Sequence, residues 1–173
     1  MNERADSPTS PQTPSEQTYA GKYMAFKLGS EEYGLGILKV RELIGLMDIT
    51  RVPGTREFIR GVINLRGKVI PVVDLRLKFG MTRTVDTDQT VIIVVQHSVG
   101  TADLAMAILV DEVLEVLDIS GERIEPAPNF GPLAVSTDFI LSIGKIEKRV
   151  IFLLDIDRIL TAQEHTSAVA SAI

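Results

Sequence analysis

Residues 58–79 read Phe58-Ile-Arg-Gly-Val-Ile-Asn-Leu-Arg-Gly-Lys-Val-Ile-Pro-Val-Val-Asp-Leu-Arg-Leu-Lys-Phe79. Two apolar runs, Gly61–Leu65 and Val69–Leu75, flank Arg66-Gly67-Lys68. Runs rich in β-branched residues, split by a short loop containing glycine, predict a β-hairpin. Gly67 supplies the positive φ that a tight hairpin turn demands. Pro71 has no N–H for a ladder, so it belongs at an edge or a bulge.

Strand signals continue on both sides. Tyr23–Leu28 alternates, with Met24, Phe26 and Leu28 on one face, and Gly29–Glu32 turns it into Tyr33-Gly34-Leu35. Further strands are expected at Thr90–Gln96, Leu104–Val110, Glu112–Leu117, Phe139–Ile143 and Arg149–Ile156. Ile37, Val40 and Ile44 fit helical spacing, so Ile37–Ile44 reads as a short helix, with a strand as the alternative. Pro53-Gly54 is a turn, and Thr55 is placed to cap a brief helix through Phe58. Asp155 or Asp157 caps a terminal helix through Ala162. Many short strands punctuated by Gly and Pro indicate an all-β barrel or sandwich with a few short helices.

The chain also repeats itself. Phe58 and Phe139, Val69 and Val150, and Asp74 and Asp155 are separated by the same 81 residues (139 − 58, 150 − 69, 155 − 74). Val40-Arg-Glu-Leu43 parallels Val113-Leu-Glu-Val116 at an offset of 73 (113 − 40). Two similar β-units in tandem are therefore expected.

Composition limits the chemistry. At 173 residues and 45% apolar content the chain can bury a core. It contains no cysteine, which removes disulfides, thiolate metal sites and a cysteine nucleophile. The histidines are His97, expected in a hairpin loop, and His165, in a loose tail; neither context supports a catalytic imidazole or a zinc site. Gly34-Leu-Gly36 lacks the third glycine of a dinucleotide fingerprint, and no phosphate-binding loop occurs. Asp111-Glu112 and the Asp155/Asp157 pair read as strand-end solvation or helix caps rather than acid–base groups. No apolar run approaches the ~20 residues of a membrane helix. Residues 1–20 are rich in Ser, Thr, Pro and Gln with no signal-peptide core, and read as a disordered tail, as do residues 163–173. The folded unit is thus expected over residues 21–162.

Net charge is −5, against generic nucleic-acid binding. Residues 51–83 nonetheless hold eight bases and two acids, a local +6 that leaves −11 for the remainder. A solvated basic face and a surface for an acidic partner both fit this. A β-rich chain without catalytic equipment works by contact, with a partner protein or, alternatively, as a small barrel that binds a ligand or an oligonucleotide.

The string Gly61-Val-Ile-Asn-Leu-Arg-Gly-Lys-Val-Ile-Pro-Val-Val-Asp-Leu-Arg76 closely resembles the signature of the CheW family of chemotaxis coupling proteins. Phe26–Leu35, Leu38–Leu43, Leu109–Asp111 with Val113 and Val116, and Ile124-Glu-Pro-Ala-Pro128 resemble further family segments in the same order. The resemblance runs from about Tyr23 to about Leu160. It implies two five-stranded SH3-like β-barrel subdomains sharing a hydrophobic core. It implies a cytoplasmic adaptor without enzymatic activity or cofactor. Such an adaptor links the cytoplasmic tips of methyl-accepting chemoreceptors to the regulatory domain of the histidine kinase CheA, in arrays at the membrane. By the same resemblance, receptor contact falls on Val40, Glu42, Arg66, Thr90 and Val91. At Ala107 the family often carries glycine, and the extra methyl tunes receptor affinity if the receptor approaches there. Glu42 and Arg66 are expected to pair. Met47 and Ile49, on an expected edge strand, are the candidates for kinase contact.

Overall fold

The computed structural model describes residues 19–82, 84–128 and 139–161. Residues 1–18 and 163–173 of the expected tails, with Ala162 and Arg83, lie outside the described residues, and so does His165. Among the described residues eleven strands form in chain order: β1 Gly21–Leu28, β2 Glu31–Gly36, β3 Val40–Gly45, β4 Ile59–Leu65, β5 Lys68–Asp74, β6 Val91–Val99, β7 Ala102–Val110, β8 Glu112–Ile119, β9 Ile124–Pro126, β10 Ile140–Ile146 and β11 Arg149–Leu154. Helix α1 spans Leu75–Lys78 and α2 spans Ile156–Thr161.

The hairpin read from residues 58–79 is β4–β5, and its turn is tighter than expected. Arg66 and Gly67 both have positive φ, 51° and 82°, so a two-residue turn joins Leu65 to its partner Lys68. Val62 exchanges both backbone hydrogen bonds with Thr50, so its partner Pro71 points its nitrogen away from β4. On that side the ladder to β7 begins only at Val72, and the missing N–H removes nothing.

Ile37–Ile44 is not a helix. Ile37–Lys39 form a single 3-10 turn, and the chain then extends into β3. Thr55 caps no helix either; its hydroxyl donates to the Val52 carbonyl at 2.8 Å within a turn. At the second terminal helix Asp155 is the cap, accepting from the amides of Asp157 and Arg158. Asp74 does the same for Leu77, 81 residues upstream.

Two sheets result, ordered β8-β1-β2-β11-β10-β9 and β3-β6-β7-β5-β4. The second closes through the isolated bridge from Thr50 to Val62 on β4. The first closes through β8 and β9, which follow one another across a single 3-10 turn, Gly121–Arg123. The fold is thus two small SH3-like barrels. Matching the sheets strand for strand pairs β3 with β8, β4 with β10 and β5 with β11. It also pairs the β6–β7 hairpin of one barrel with the β1–β2 hairpin of the other.

The tandem expectation needs correcting here. Each sequence repeat gives its leading hairpin to the other repeat's barrel. Connection length explains the exchange. Strand β8 runs parallel to β2, because both pair antiparallel to β1. Were β3 in that place, the chain would have to travel back the length of a strand, roughly 20 Å. The three residues Ile37–Lys39 reach only about 10 Å, so β3 enters a different barrel.

Three apolar clusters follow. Tyr23, Ile119, Ile151 and Leu153 fill the first barrel, and Ile63, Ile70, Val72, Ile92, Val94, Ala107 and Leu109 fill the second. Between the barrels lies a shared core built from Phe26, Leu28, Leu35, Val73, Ile93, Ile108, Leu154 and their neighbours. Ile92–Val95 of β6 and Met106–Val110 of β7 are buried on both faces, which is why they read as unbroken apolar runs. His97 lies on β6 rather than in a loop; it is buried, and its Nε2 is 2.8 Å from the Thr161 hydroxyl of α2.

Candidate partner-docking surface

Strand β3 is the edge of the second sheet, and its residues alternate between half-buried and exposed. Ile44 packs on the interior of the second barrel. Glu42 shares that strand face, so its carboxylate stands at the barrel rim. The β4–β5 turn brings Arg66 to it. Arg66 donates through both terminal nitrogens, at 3.0 and 2.5 Å, to the two carboxylate oxygens. The left-handed backbone at Arg66 aims this side chain. Asn64 braces the turn by accepting from the Gly67 amide at 2.9 Å.

The hydrogen bonds from Arg66 hold the Glu42 carboxyl below its ordinary pKa; partial desolvation opposes them and the guanidinium charge adds to them. Arg66 is raised in turn, first by the same bonds. Arg66 is 70% exposed and Glu42 33%, so solvent screens the pair and its contribution to folding is small.

The other expected contact residues are not gathered around this pair. Val40 pairs with Val95 at one end of the β3–β6 ladder, whereas Val91 pairs with Gly45 at the other. Four residues of strand, about 13 Å, lie between the two ends. Both valines are half-buried against the shared core. They mark the ends of a strip along the β3 edge rather than the walls of one groove.

Two expectations meet burial. Thr90 is 9% exposed, and its hydroxyl accepts from the Thr87 amide at 2.8 Å, tying down the loop before β6. Ala107 is wholly buried in the second barrel between Val94 and Val72. Its methyl offers no surface to an approaching chain, because β7 is an interior strand. Met47 and Ile49 do not lie on a strand. They occupy the segment between β3 and Thr50 and pack half-buried against the second barrel's interior.

The sequence reading missed exposed apolar side chains next to these positions. Leu38 is 92% exposed on the 3-10 turn, Val69 is 65% exposed on β5, and Leu43 and Leu46 are each exposed on or after β3. The signal was available for Leu43, since period-two alternation along Val40–Gly45 puts it opposite Glu42 and Ile44.

Three bases of the basic segment, Arg60, Arg66 and Arg76, meet acids. Arg60 bridges Asp74 and Asp86, Arg76 meets Asp111, and Lys78 stands 4.0 Å from the centre of the Phe58 ring. Among the described residues no aromatic side chain is exposed, so no stacking platform for single-stranded nucleic acid appears there. Among the described residues no cluster of three His, Asp or Glu is arranged to hold a metal ion. No described helix is long and apolar enough to cross a membrane.

Paired small barrels with an exposed edge strand and a charged rim define the SH3-like double-barrel class. Comparison with known proteins carries this further. The family model for the CheW-like domain matches residues 22–164. The chain is 37% identical to the chemotaxis protein CheW of Klebsiella aerogenes over 148 residues, 86% of each chain. It is 33% identical to the CheW of Bacillus subtilis over 151 residues, covering 86% of this chain and 92% of that one. The crystal structure of the scaffolding protein TtCheW from Thermoanaerobacter tengcongensis superimposes with a TM-score of 0.72 at 35% identity, covering 83% of this chain and 94% of that one. The chain belongs to the CheW family of chemotaxis scaffold proteins.

Proposed function

We propose that this protein is a non-enzymatic adaptor that couples the cytoplasmic tips of methyl-accepting chemoreceptors to the histidine kinase CheA. It works in the cytoplasm, is recruited to receptor arrays at the membrane, and needs no cofactor. The observation that carries this reading is the Glu42–Arg66 pair on the rim of an exposed edge strand. The pair adds little to folding, yet the turn geometry at Arg66 is spent on presenting it.

In this reading the receptor helix lies along the β3 edge, from Val40 past Glu42 and Arg66 to Val91. Thr90 acts by holding the loop that precedes Val91, and Ala107 acts only from within the barrel, through the spacing of its strands. The segment holding Met47 and Ile49 meets the kinase regulatory domain. Residues 21–162 form the working unit, and residues 1–20 and 163–173 are tails.

The test is co-precipitation of the purified protein with a receptor cytoplasmic fragment and with CheA, separately and together. Retention of both partners, with no ATPase activity and no phosphate accepted from the kinase, is expected. Failure to retain either partner refutes coupling, and phosphorylation of this chain refutes the non-enzymatic reading.

A further inference from the structure

The exchanged hairpins are fastened by two clamps at matching places in the two repeats, and the clamps have opposite polarity. Strand register makes Met24 on β1 the counterpart of Ile93 on β6. Five residues further on, Gly29 corresponds to Ser98. Each of these two backbone amides donates to a carboxylate. Gly29 donates to Asp111 Oδ2 at 2.7 Å, and Ser98 donates to Asp157 Oδ1 at 2.8 Å.

The carboxylates come from different elements. Asp111 is the residue that crosses from β7 into β8, and its cation is Arg76 of α1, at 2.5 Å. Asp157 belongs to α2, and its cation is Lys39, the residue that crosses from β2 into β3, at 2.7 Å. Arg76 and Asp157 are themselves 81 residues apart (157 − 76). In the first clamp the helix is basic and the crossover acidic; in the second the helix is acidic and the crossover basic. Each clamp joins the helix after one barrel's last strand to the hairpin of the other barrel.

The two are unequal. Arg76 is 13% exposed and Asp111 30%, and the Arg76 Nε also donates to the Thr82 carbonyl at 3.1 Å. Asp111 is tied further through its own amide, which donates to the Lys27 carbonyl at 3.1 Å. Lys39 and Asp157 are 36% and 28% exposed, and the Lys39 Nζ also donates to the Ser98 hydroxyl at 3.1 Å, so the two clamps differ in the cover of their cations and not of their carboxylates. Lysine is a strongly hydrated point charge on a flexible stem, whereas arginine holds its partners in a fixed fork. Salt therefore screens the interaction of the more exposed lysine more than that of the covered arginine.

We infer that the clamps form a hinge between the barrels, with Arg76–Asp111 as the fixed side and Lys39–Asp157 as the side that releases. Opening loosens the Ser98 end of the β6–β7 hairpin, while the His97–Thr161 contact, the shared core and both barrel interiors stay in place. Leu38 and Val40 flank Lys39 in sequence, so the releasing side adjoins the start of the β3 edge.

The test is amide hydrogen exchange of the full chain by NMR, with rates corrected for intrinsic exchange. Raising sodium chloride should speed the Ser98 amide and leave Gly29 and the interior amides of Ile63 and Ile151 unchanged. Lys39→Gln should speed Ser98 by up to about fivefold, the most expected for loss of a partly exposed ion pair. Arg76→Gln should act on Gly29 instead. Exchanging the first clamp's charges with Arg76→Asp and Asp111→Lys together should restore much of the Gly29 protection that either change alone removes. Equal responses of Ser98 and Gly29 to salt would overturn the hinge, as would acceleration of the interior amides alongside Ser98. If Lys39→Gln fails to fold, the salt series on the unaltered protein still decides.

Discussion

The two barrels share a strand order and differ in what they place on their rims. In the second barrel the β4–β5 turn carries Arg66, which reaches Glu42 on β3. The counterparts in the first barrel are Glu147, 81 residues after Arg66, and Glu115, 73 residues after Glu42. Glu147 keeps the same left-handed backbone, with φ of 55° against 51°, but two acids cannot pair. Glu115 turns instead to Arg149, which also holds Glu32 through both carboxylate oxygens. The backbone of the duplicated unit has been kept while the charge has been redistributed. One rim presents an ion pair reaching out from a turn; the other folds its arginine back onto the sheet.

The sharpest way to break the comparison is at Gly61 and its counterpart Ser142. A Cβ on Gly61 would lie 2.1 Å from the Thr50 carbonyl oxygen, at φ 140°, where the second barrel closes. Gly61→Ala should destabilise the protein by about 3 kcal/mol or more, read by denaturant unfolding, because a backbone clash and a strained φ combine. The first barrel accommodates a side chain at the same place. Ser142 is buried and its hydroxyl has no partner among the described residues. Ser142→Ala should therefore change stability by less than about 1 kcal/mol. Equal losses at the two positions would contradict this contrast between the closures.

Next in size is the contrast between the two rim arginines. Bonds to Glu32, then to Glu115, raise the Arg149 pKa far above its ordinary value. Glu32 is only 16% exposed and would be left unpaired by Arg149→Ala. That change should lower stability by about 1–2 kcal/mol after allowance for screening, a few degrees in melting temperature for a chain of this size. Arg66→Ala should leave the melting temperature close to that of the unaltered protein.

Much of the fold was legible because the signals were local. Gly67 and the apolar runs around it fixed the hairpin, and the constant offset exposed the duplication. The misread element, Ile37–Ile44, carries apolar residues that satisfy helical spacing, while Val40, Glu42 and Ile44 satisfy strand spacing equally well. A 3-10 turn consumes the first three residues, and pairing with β6 decides the rest. The hairpin exchange is non-local, since it follows from a three-residue connector measured against a strand length that only the assembled barrel defines. Glu42 and Arg66 were legible as a resemblance and then as a pair. The burial of Ala107 was not legible, because burial of β7 on both faces depends on the second barrel closing over it. The clamps were missed because Arg76 and Asp157 occupy matching places with opposite charges, which hides them from a search for like residues.

A smaller effect separates pH from fold. Because the Glu42 pKa is lowered in the folded protein, the pair's contribution is present above the ordinary glutamate value and is lost as pH falls through the lowered one. Carboxyl NMR titration should show Glu42 remaining ionised below the ordinary range of about 4.3, and Arg66→Ala should return it toward that range.

The smallest expected effect lies at the start of the chain. The Tyr23 hydroxyl donates to the Tyr19 carbonyl at 2.5 Å, so the end of the proposed tail touches β1. Removing residues 1–18 should leave the melting temperature unchanged, whereas removing residue 19 as well should take away the partner of Tyr23.

The most direct measurement is the affinity of a receptor cytoplasmic fragment for Arg66→Ala, Glu42→Ala and the double variant, with melting temperatures taken alongside. The two single changes should each weaken binding while the melting temperature stays near that of the unaltered protein. The double variant should lose less than the sum of the single losses, because the residues act as a pair. Unchanged receptor binding in a normally folded Arg66→Ala protein, or unfolding of that variant, would contradict the assignment of this rim to partner coupling.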